Sequence, residues 1–286
     1  MGTSGPHLPV AQDTGDTPSA FRPGLFAGQV ALVSGAGSGL GRAIARRYAE
    51  LGASLVICGR RVERLEATAT ELRALGTEVL VHPMTIRDPQ QVAELIDVAW
   101  TRFGRLDVLV NNAGGQFPQP AIDFSVKGWN AVIDTNLNGP WYMMQAAARR
   151  WRDAGVPGCI VNIVAVVWRG MPGVAHTCAA RAGTIFLSKT LAVEWAEHRI
   201  RVNCVAPGTI ETEGMAVYPE AARREFVRSN PMLRMGEPGD VAEACCYLAS
   251  AAANFVTGEV LNVDGGHQMW GEQWTAGRPD YFRPPP

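Results

Sequence analysis

The residues best equipped for chemistry begin at Ser34-Gly35-Ala36-Gly37-Ser38-Gly39-Leu40-Gly41, set between a short β-branched stretch and an amphipathic one. Glycines at such a turn let the backbone approach a pyrophosphate, whose charge meets free N–H groups and the positive end of the following helix. Any tight strand-to-helix turn can use glycine. The place of this one, after a strand and before a helix, makes it a dinucleotide signature, with Gly35, Ser38, Gly39, Leu40 and Gly41 as contact positions. After the second β-branched stretch a chain that holds NAD needs an acid for the ribose hydroxyls; this one reads Cys58-Gly59-Arg60-Arg61. Arg60 and Arg61 either open a solvated helix or offer a planar, permanent charge to a 2'-phosphate, and the second reading makes the expected cofactor NADP(H).

Holding these residues in place requires a frame of alternating elements. Strand-like stretches fall at 30–33, 54–58, 78–82, 108–110, 159–164, 201–205 and 259–263, with helical patterns near 39–51, 61–75, 88–103, 127–153, 175–197 and 238–249. Strict alternation implies right-handed crossovers and a doubly wound, mostly parallel seven-stranded sheet of α/β class, a single Rossmann-like domain with ligands at the carboxyl ends of its strands. Residues 1–27, rich in Gly, Pro, Ser and Thr, read as a mobile arm. The catalytic domain runs over 28–267, and an aromatic tail with Trp270, Trp274, Tyr281 and Phe282 over 268–286.

Composition narrows the partners. With 47% apolar residues, 19% charged ones and a net charge of -1, the chain has material for a large core and no bias toward nucleic acid or membrane surfaces. The longest apolar run is far shorter than the roughly 20 residues that span a bilayer. Six cysteines show neither metal nor disulfide-framework spacing, which suits buried thiols in the cytoplasm, and no metal site is expected.

Further motifs carry a resemblance. Asn111-Asn112-Ala113-Gly114 after the fourth strand, Asn136 in the next helix and Pro207-Gly208-Thr209-Ile210-Glu211-Thr212 after the sixth strand, together with the glycines, resemble the short-chain dehydrogenase/reductase superfamily over about 28–266. The resemblance implies that Asn112, Ala113 and Gly114 support the adenosine side, that Thr85 and Ile86 flank the adenine, and that Pro207, Gly208, Ile210 and Thr212 hold the nicotinamide end. It also implies a Ser, a Tyr and a Lys four residues after the Tyr. The matching positions read Ala165 (or Val164), Thr177 and Arg181. A phenol can be tuned toward neutral pH, an aliphatic hydroxyl cannot, and a guanidinium keeps its proton.

A narrower resemblance accounts for this departure. Gly114-Gly115-Gln116-Phe117, Lys127-Gly128-Trp129 and residues 176–183 are similar to peroxisomal trans-2-enoyl-CoA reductases and their dienoyl-CoA relatives. That implies reduction of a C=C bond conjugated to a thioester, where the chief need is donors at the developing oxyanion: Thr177, Asn136 or a held water. Arg181 would meet the nicotinamide ribose. Some relatives place a Tyr and Lys one turn later, which here reads Ile185 and Lys189. Tyr142 and Tyr218 remain possible proton donors, and a lid near 211–236 carries arginines suited to coenzyme A phosphates. His176 and His267 read as structural. Two other functions stay open: a dehydrogenase of a branched or terpenoid alcohol or aldehyde such as citronellol/citronellal, and a non-catalytic NADP-binding protein. Surplus apolar residues on the patterns 127–153 and 175–197 suggest a homotetramer or homodimer.

Overall fold

Seven strands form where β-branched residues cluster: β1 Val30–Ser34, β2 Ser54–Gly59, β3 Val79–Pro83, β4 Val108–Asn111, β5 Gly158–Ile163, β6 Ile200–Pro207 and β7 Val260–Val263. All pair in parallel, in the order β3-β2-β1-β4-β5-β6-β7. The computed structural model describes residues 19–217 and 225–270. The order reverses between β1 and β4, and that switch point is where a doubly wound sheet opens its ligand crevice.

Side chains alternate across the sheet with a period of two, so one strand feeds two cores. Ala31 and Val33 of β1 join Ile44 and Tyr48 of helix α1 (Gly39–Glu50), Leu65 and Leu72 of α2 (Val62–Ala74), and Val241 and Cys245 of α7 (Pro238–Ala249). Val30 and Leu32 face the other way, onto Val92 and Leu95 of α3 (Pro89–Phe103), Met143 and Trp151 of α5 (Gly139–Ala154) and Leu191 of α6 (Ala175–Glu194). Among the described residues no helix is long and apolar enough to cross a membrane.

Two sequence expectations are corrected. The pattern over 127–153 is not one helix: α4 (Val126–Ile133) passes through a π turn, Asp134–Asn138, into α5. Pro140 is the cause, having no N–H for the carbonyl of Asn136 four residues back. That carbonyl instead accepts the Thr184 hydroxyl of α6 at 3.0 Å, which ties the bulge to the helix facing it. The expectation of a mobile arm through residue 27 also fails at its described end. Phe26 is buried against Tyr48, ring centroids 4.9 Å apart, and its N–H donates to Leu51 O at 2.9 Å.

Candidate active site

A cleft of about 660 Å³ runs along the carboxyl ends of the central strands. At one end the glycine loop presents backbone to it. Gly35 turns at φ +68, and a Cβ there would stand 2.9 Å from Ala113 Cα, so only glycine lets the first loop lie against the fourth. The Ser34 hydroxyl accepts from the N–H groups of Asn112 and Ala113, both at 3.0 Å, while the Asn112 amide donates to Ser34 O at 2.9 Å. Asn112 therefore joins two loops through the backbone. Of the residues expected to hold the cofactor, Gly35, Ser38, Leu40, Gly41, Arg60, Arg61, Thr85, Ile86, Asn112, Ala113, Gly114, Arg181, Pro207, Gly208, Ile210 and Thr212 line the cleft. Gly39 does not line it; it opens α1.

Arg64 and Arg87 also line this end, beside Arg60 and Arg61. Sequence reading missed both. Arg64 follows Arg61 by three positions on the first turn of α2, a helical spacing that could have revealed it. Glu213 of the lid approaches Arg64 at 3.8 Å and Arg42 at 3.7 Å. The glycine cradle at the head of α1 and the arginines beside β2 fit a phosphorylated dinucleotide, negative at both places.

The opposite end is apolar, walled by Val164, Ala165, Val166, Met171, Pro172, Val174, Met215 and Phe226. Arg181 of α6 projects into this part. It is 8% exposed, donates to Ile163 O at 2.8 Å, and lies so close over Gly114 that a Cβ there would collide with it. No carboxylate of the described residues pairs with it. Burial lowers its pKa to about 10, which leaves it charged at neutral pH.

The other catalytic candidates do not converge on Arg181. Asn136 is buried in the π turn, its amide oxygen accepting from Gly115 N at 3.0 Å and its nitrogen donating one hydrogen to Gly115 O at 2.9 Å. It shapes the loop at Gly114 and Gly115, and it does not line the cleft. Thr177 is 3% exposed and outside the cleft lining, with its hydroxyl 3.3 Å from His176 Nδ1. His176 stacks on Phe124 with centroids 4.4 Å apart and meets the edge of Phe117 at 4.6 Å; burial pulls its pKa down. Lys189 is exposed, its ammonium 5.3 Å from the ring centroid of Phe186, because the helical period carries it off the face that holds Arg181. Ile185 is buried in the core beside β6. Tyr142 packs with the α3 side of the sheet. Tyr218 lies outside the described residues, as do Arg223 and Arg224. Of the described lid arginines, Arg228 pairs with Glu225 at 2.7 Å and Arg234 with Asp240 at 3.2 Å, so the lid offers less open charge than its sequence suggests.

Comparison with known proteins places this arrangement. A family profile described as enoyl-(acyl carrier protein) reductase matches residues 35–268. A protein of Bacillus subtilis (strain 168) named probable 2,4-dienoyl-CoA reductase, (2E)-enoyl-CoA-producing, is 39% identical over 243 residues, 83% of this chain and 96% of that one. The cis-4-hydroxycyclohexanecarboxylate dehydrogenase of Sinomonas cyclohexanicum is 41% identical over 246 residues, 85% of this chain and 97% of that one. Among solved structures, the citronellol catabolism dehydrogenase AtuB of Pseudomonas aeruginosa PAO1 superposes with a TM-score of 0.78 at 40% identity, covering 87% of this chain and 99% of that one.

Proposed function

The chain belongs to the short-chain dehydrogenase/reductase superfamily, and on that premise we propose that it is an NADPH-dependent reductase of the C=C bond of a 2-enoyl-CoA thioester. The observation that carries this reading is Arg181, a buried cation without a carboxylate partner among the described residues, in a cleft whose described lining contains no tyrosine. Reducing a ketone or aldehyde puts a proton on the oxygen itself, which a guanidinium does not release. Reducing a conjugated C=C bond puts negative charge on the thioester oxygen and the proton on carbon. A fixed positive charge in a site poor in water stabilises the first of these events and need not perform the second.

The cofactor, when bound, supplies a hydride. The chain's own residues do the rest of the positioning: the glycine loop and the N-terminus of α1 take the pyrophosphate, Arg60, Arg61, Arg64 and Arg87 take a 2'-phosphate, and the apolar wall from Val164 to Val174 excludes water from the acyl chain. The likeness to the Bacillus protein supports the thioester reading. A dehydrogenase of a branched alcohol is the second reading, favoured by that same apolar wall, by the paired lid arginines and by the likeness to the citronellol protein. We further propose a homodimer or homotetramer built on α6, whose Phe186 and Val193 stand 65% and 79% exposed.

Loss of NADPH absorbance with crotonyl-CoA and longer enoyl-CoAs, run beside branched aldehydes and ketones, separates the readings. Turnover confined to enoyl thioesters is the expected result, and turnover confined to carbonyls transfers the assignment to the second reading. NADPH binding without turnover on any of them leaves a cofactor-binding protein.

A further inference from the structure

Reduction of a C=C bond consumes a proton as well as a hydride, and the arginine just described yields none. Among the described residues that line the cleft there is no Tyr, Lys, Cys, Asp or Glu; the ionisable side chains are arginines and His267. Imidazole is the side chain whose ordinary charge change falls between pH 5 and 8. We propose that His267 is the proton donor of this site, an inference that rests on the enoyl-thioester reading for the identity of the acceptor carbon.

The chain takes particular care over where His267 stands. After β7, Gly265 and Gly266 turn at φ +60 and +84, and the backbone comes back across the end of β6. The N–H of His267 donates to Asp264 O at 3.0 Å, and the Asp264 carboxylate accepts from Gly266 N and Gln268 N, each at 2.9 Å. Asp264 in turn lies so close to Gly208 that a Cβ on that glycine would be 2.8 Å from Asp264 Cα, which seats the turn against the Pro207-Gly208 part of the cleft. The imidazole lines the cleft while its Nδ1 is buried without a hydrogen-bond partner. His176 Nε2 is also buried without a partner but lies off the cleft; at His267 the unsatisfied nitrogen belongs to a residue that lines it, where a group of the ligand can supply the partner.

The charged groups nearest the segment are engaged elsewhere. Asp264 spends both carboxylate oxygens on backbone N–H groups, Arg228 of the lid is paired with Glu225, and Arg169 donates to Trp270 O. Arg181 stands on the wall of the same cleft. Trp270, three residues after His267, donates from Nε1 to Arg228 O at 3.0 Å, so the segment carrying His267 is fastened to the lid.

The step balances as follows in atoms and electrons. Cβ of the enoyl thioester gains a hydride with its electron pair from the reduced nicotinamide dinucleotide, and the π electrons of the C=C bond move onto the thioester oxygen assigned to Arg181. As the resulting enolate collapses, Cα forms a bond to the proton held by His267, and the neutral imidazole takes a proton from solvent. NADPH is oxidised and the C=C bond reduced, with one proton consumed.

The variants are His267→Gln, with His267→Asn in reserve should the first not fold, and Tyr218→Phe as the rival donor. His267→Gln is expected to bind NADPH as the parent does and to reduce crotonyl-CoA about 100-fold more slowly. Because the protonated imidazole is the acting form, the parent's kcat should fall as pH rises through the imidazole titration, and this fall should vanish in the variant. Loss of the fall in Tyr218→Phe and its persistence in His267→Gln would overturn the proposal. A second readout does not depend on turnover: NMR titration of the histidine signals, with the His267 signal identified by its absence from the variant. A donor beside the reacting ring must titrate at lower pH in the complex with NADP⁺, whose ring is cationic, than in the complex with NADPH. Identical titrations overturn the assignment of His267 whatever the substrate proves to be, whereas failure of every enoyl-CoA with shifted titrations overturns the thioester reading and leaves His267 in place.

Discussion

At the cofactor end of the cleft the glycine loop presents backbone, shaped by Gly35 against Ala113 and by the Ser34–Asn112 hydrogen bonds, beside a group of arginines; at the substrate end the surface is an apolar wall of side chains around Arg181. The two ends obey different rules of substitution. A surface made of backbone fixes residue types through conformation, so glycine at φ +68 has no substitute. A surface made of side chains can exchange one chemistry for another while the fold stands. Threonine and arginine stand on α6 where the resemblance in the sequence leads one to expect a phenol and an ammonium, and the strands beside them are intact.

Removing the charge of Arg181 should separate these ends most sharply. Arg181→Met is expected to lower enoyl-CoA turnover by at least ~100-fold, the scale of losing one oxyanion donor. It should at the same time stabilise the cofactor-free protein by about 1–3 kcal/mol, since an unpaired cation no longer has to be buried. The sign follows from the titration: the folded-state pKa of about 10 lies below the ordinary value, so the unfavourable contribution is complete below pH 10 and fades only as pH rises beyond it. Steady-state rates and thermal unfolding of the apo forms check both halves. A slower variant that is also less stable would mean that Arg181 holds the fold and its chemistry is incidental.

At the other end, Arg60→Glu should weaken NADPH binding by about 1.5–3 kcal/mol, the range for a hydrogen bond to a charged group, and leave NADH nearly unaffected. Arg64→Glu should act in the same direction by less, because Glu213 already shares its charge at 3.8 Å. Equal affinity of the parent for the two cofactors by titration would dissolve the comparison at its cofactor end.

The same contrast governs what the sequence could reveal. Strand positions, the glycine loop, Asn112 and the Arg60-Arg61 pair are legible because local conformation and short spacing specify them. The π turn at Asp134–Asn138 was readable in principle from Pro140, but only once Thr184 is known to be close enough to take the freed carbonyl. Thr177, Asn136 and Lys189 were reasonable donors by position, yet which face of a helix meets a cleft depends on packing between segments far apart in the chain. His267 passed as structural for the same reason: other residues that line the cleft with it, Gly208 and Phe226 among them, are distant in sequence.

Assembly offers a smaller test. Phe186 and Val193 lie about two turns apart on the exposed face of α6, and Phe186→Glu should convert an oligomer to a form near the 30.7 kDa of one chain in light scattering. A parent that already runs at that mass removes the proposed interface. NADPH affinity should be unchanged in the variant, since Phe186 does not line the cleft.

Thr177→Val is the change expected to do least, and it is informative for that reason. Thr177 stands where the resemblance in the sequence leads one to expect a phenol, so position alone assigns it a hundredfold effect. Its hydroxyl instead lies 3.3 Å from His176 Nδ1, in a place 3% exposed and outside the lining that Val174 and Arg181 share. Valine has nearly the same shape, and the His176 nitrogen keeps the Thr177 N–H at 2.7 Å, so no buried group loses its only partner. Turnover should therefore fall by less than about tenfold, with stability lowered by about 1 kcal/mol for one lost hydrogen bond. Kinetics with crotonyl-CoA and thermal unfolding measure the two. A loss near 100-fold with unchanged stability would mean that the wall opens when substrate binds and admits the hydroxyl, which would return the donor role to the position the sequence first suggested.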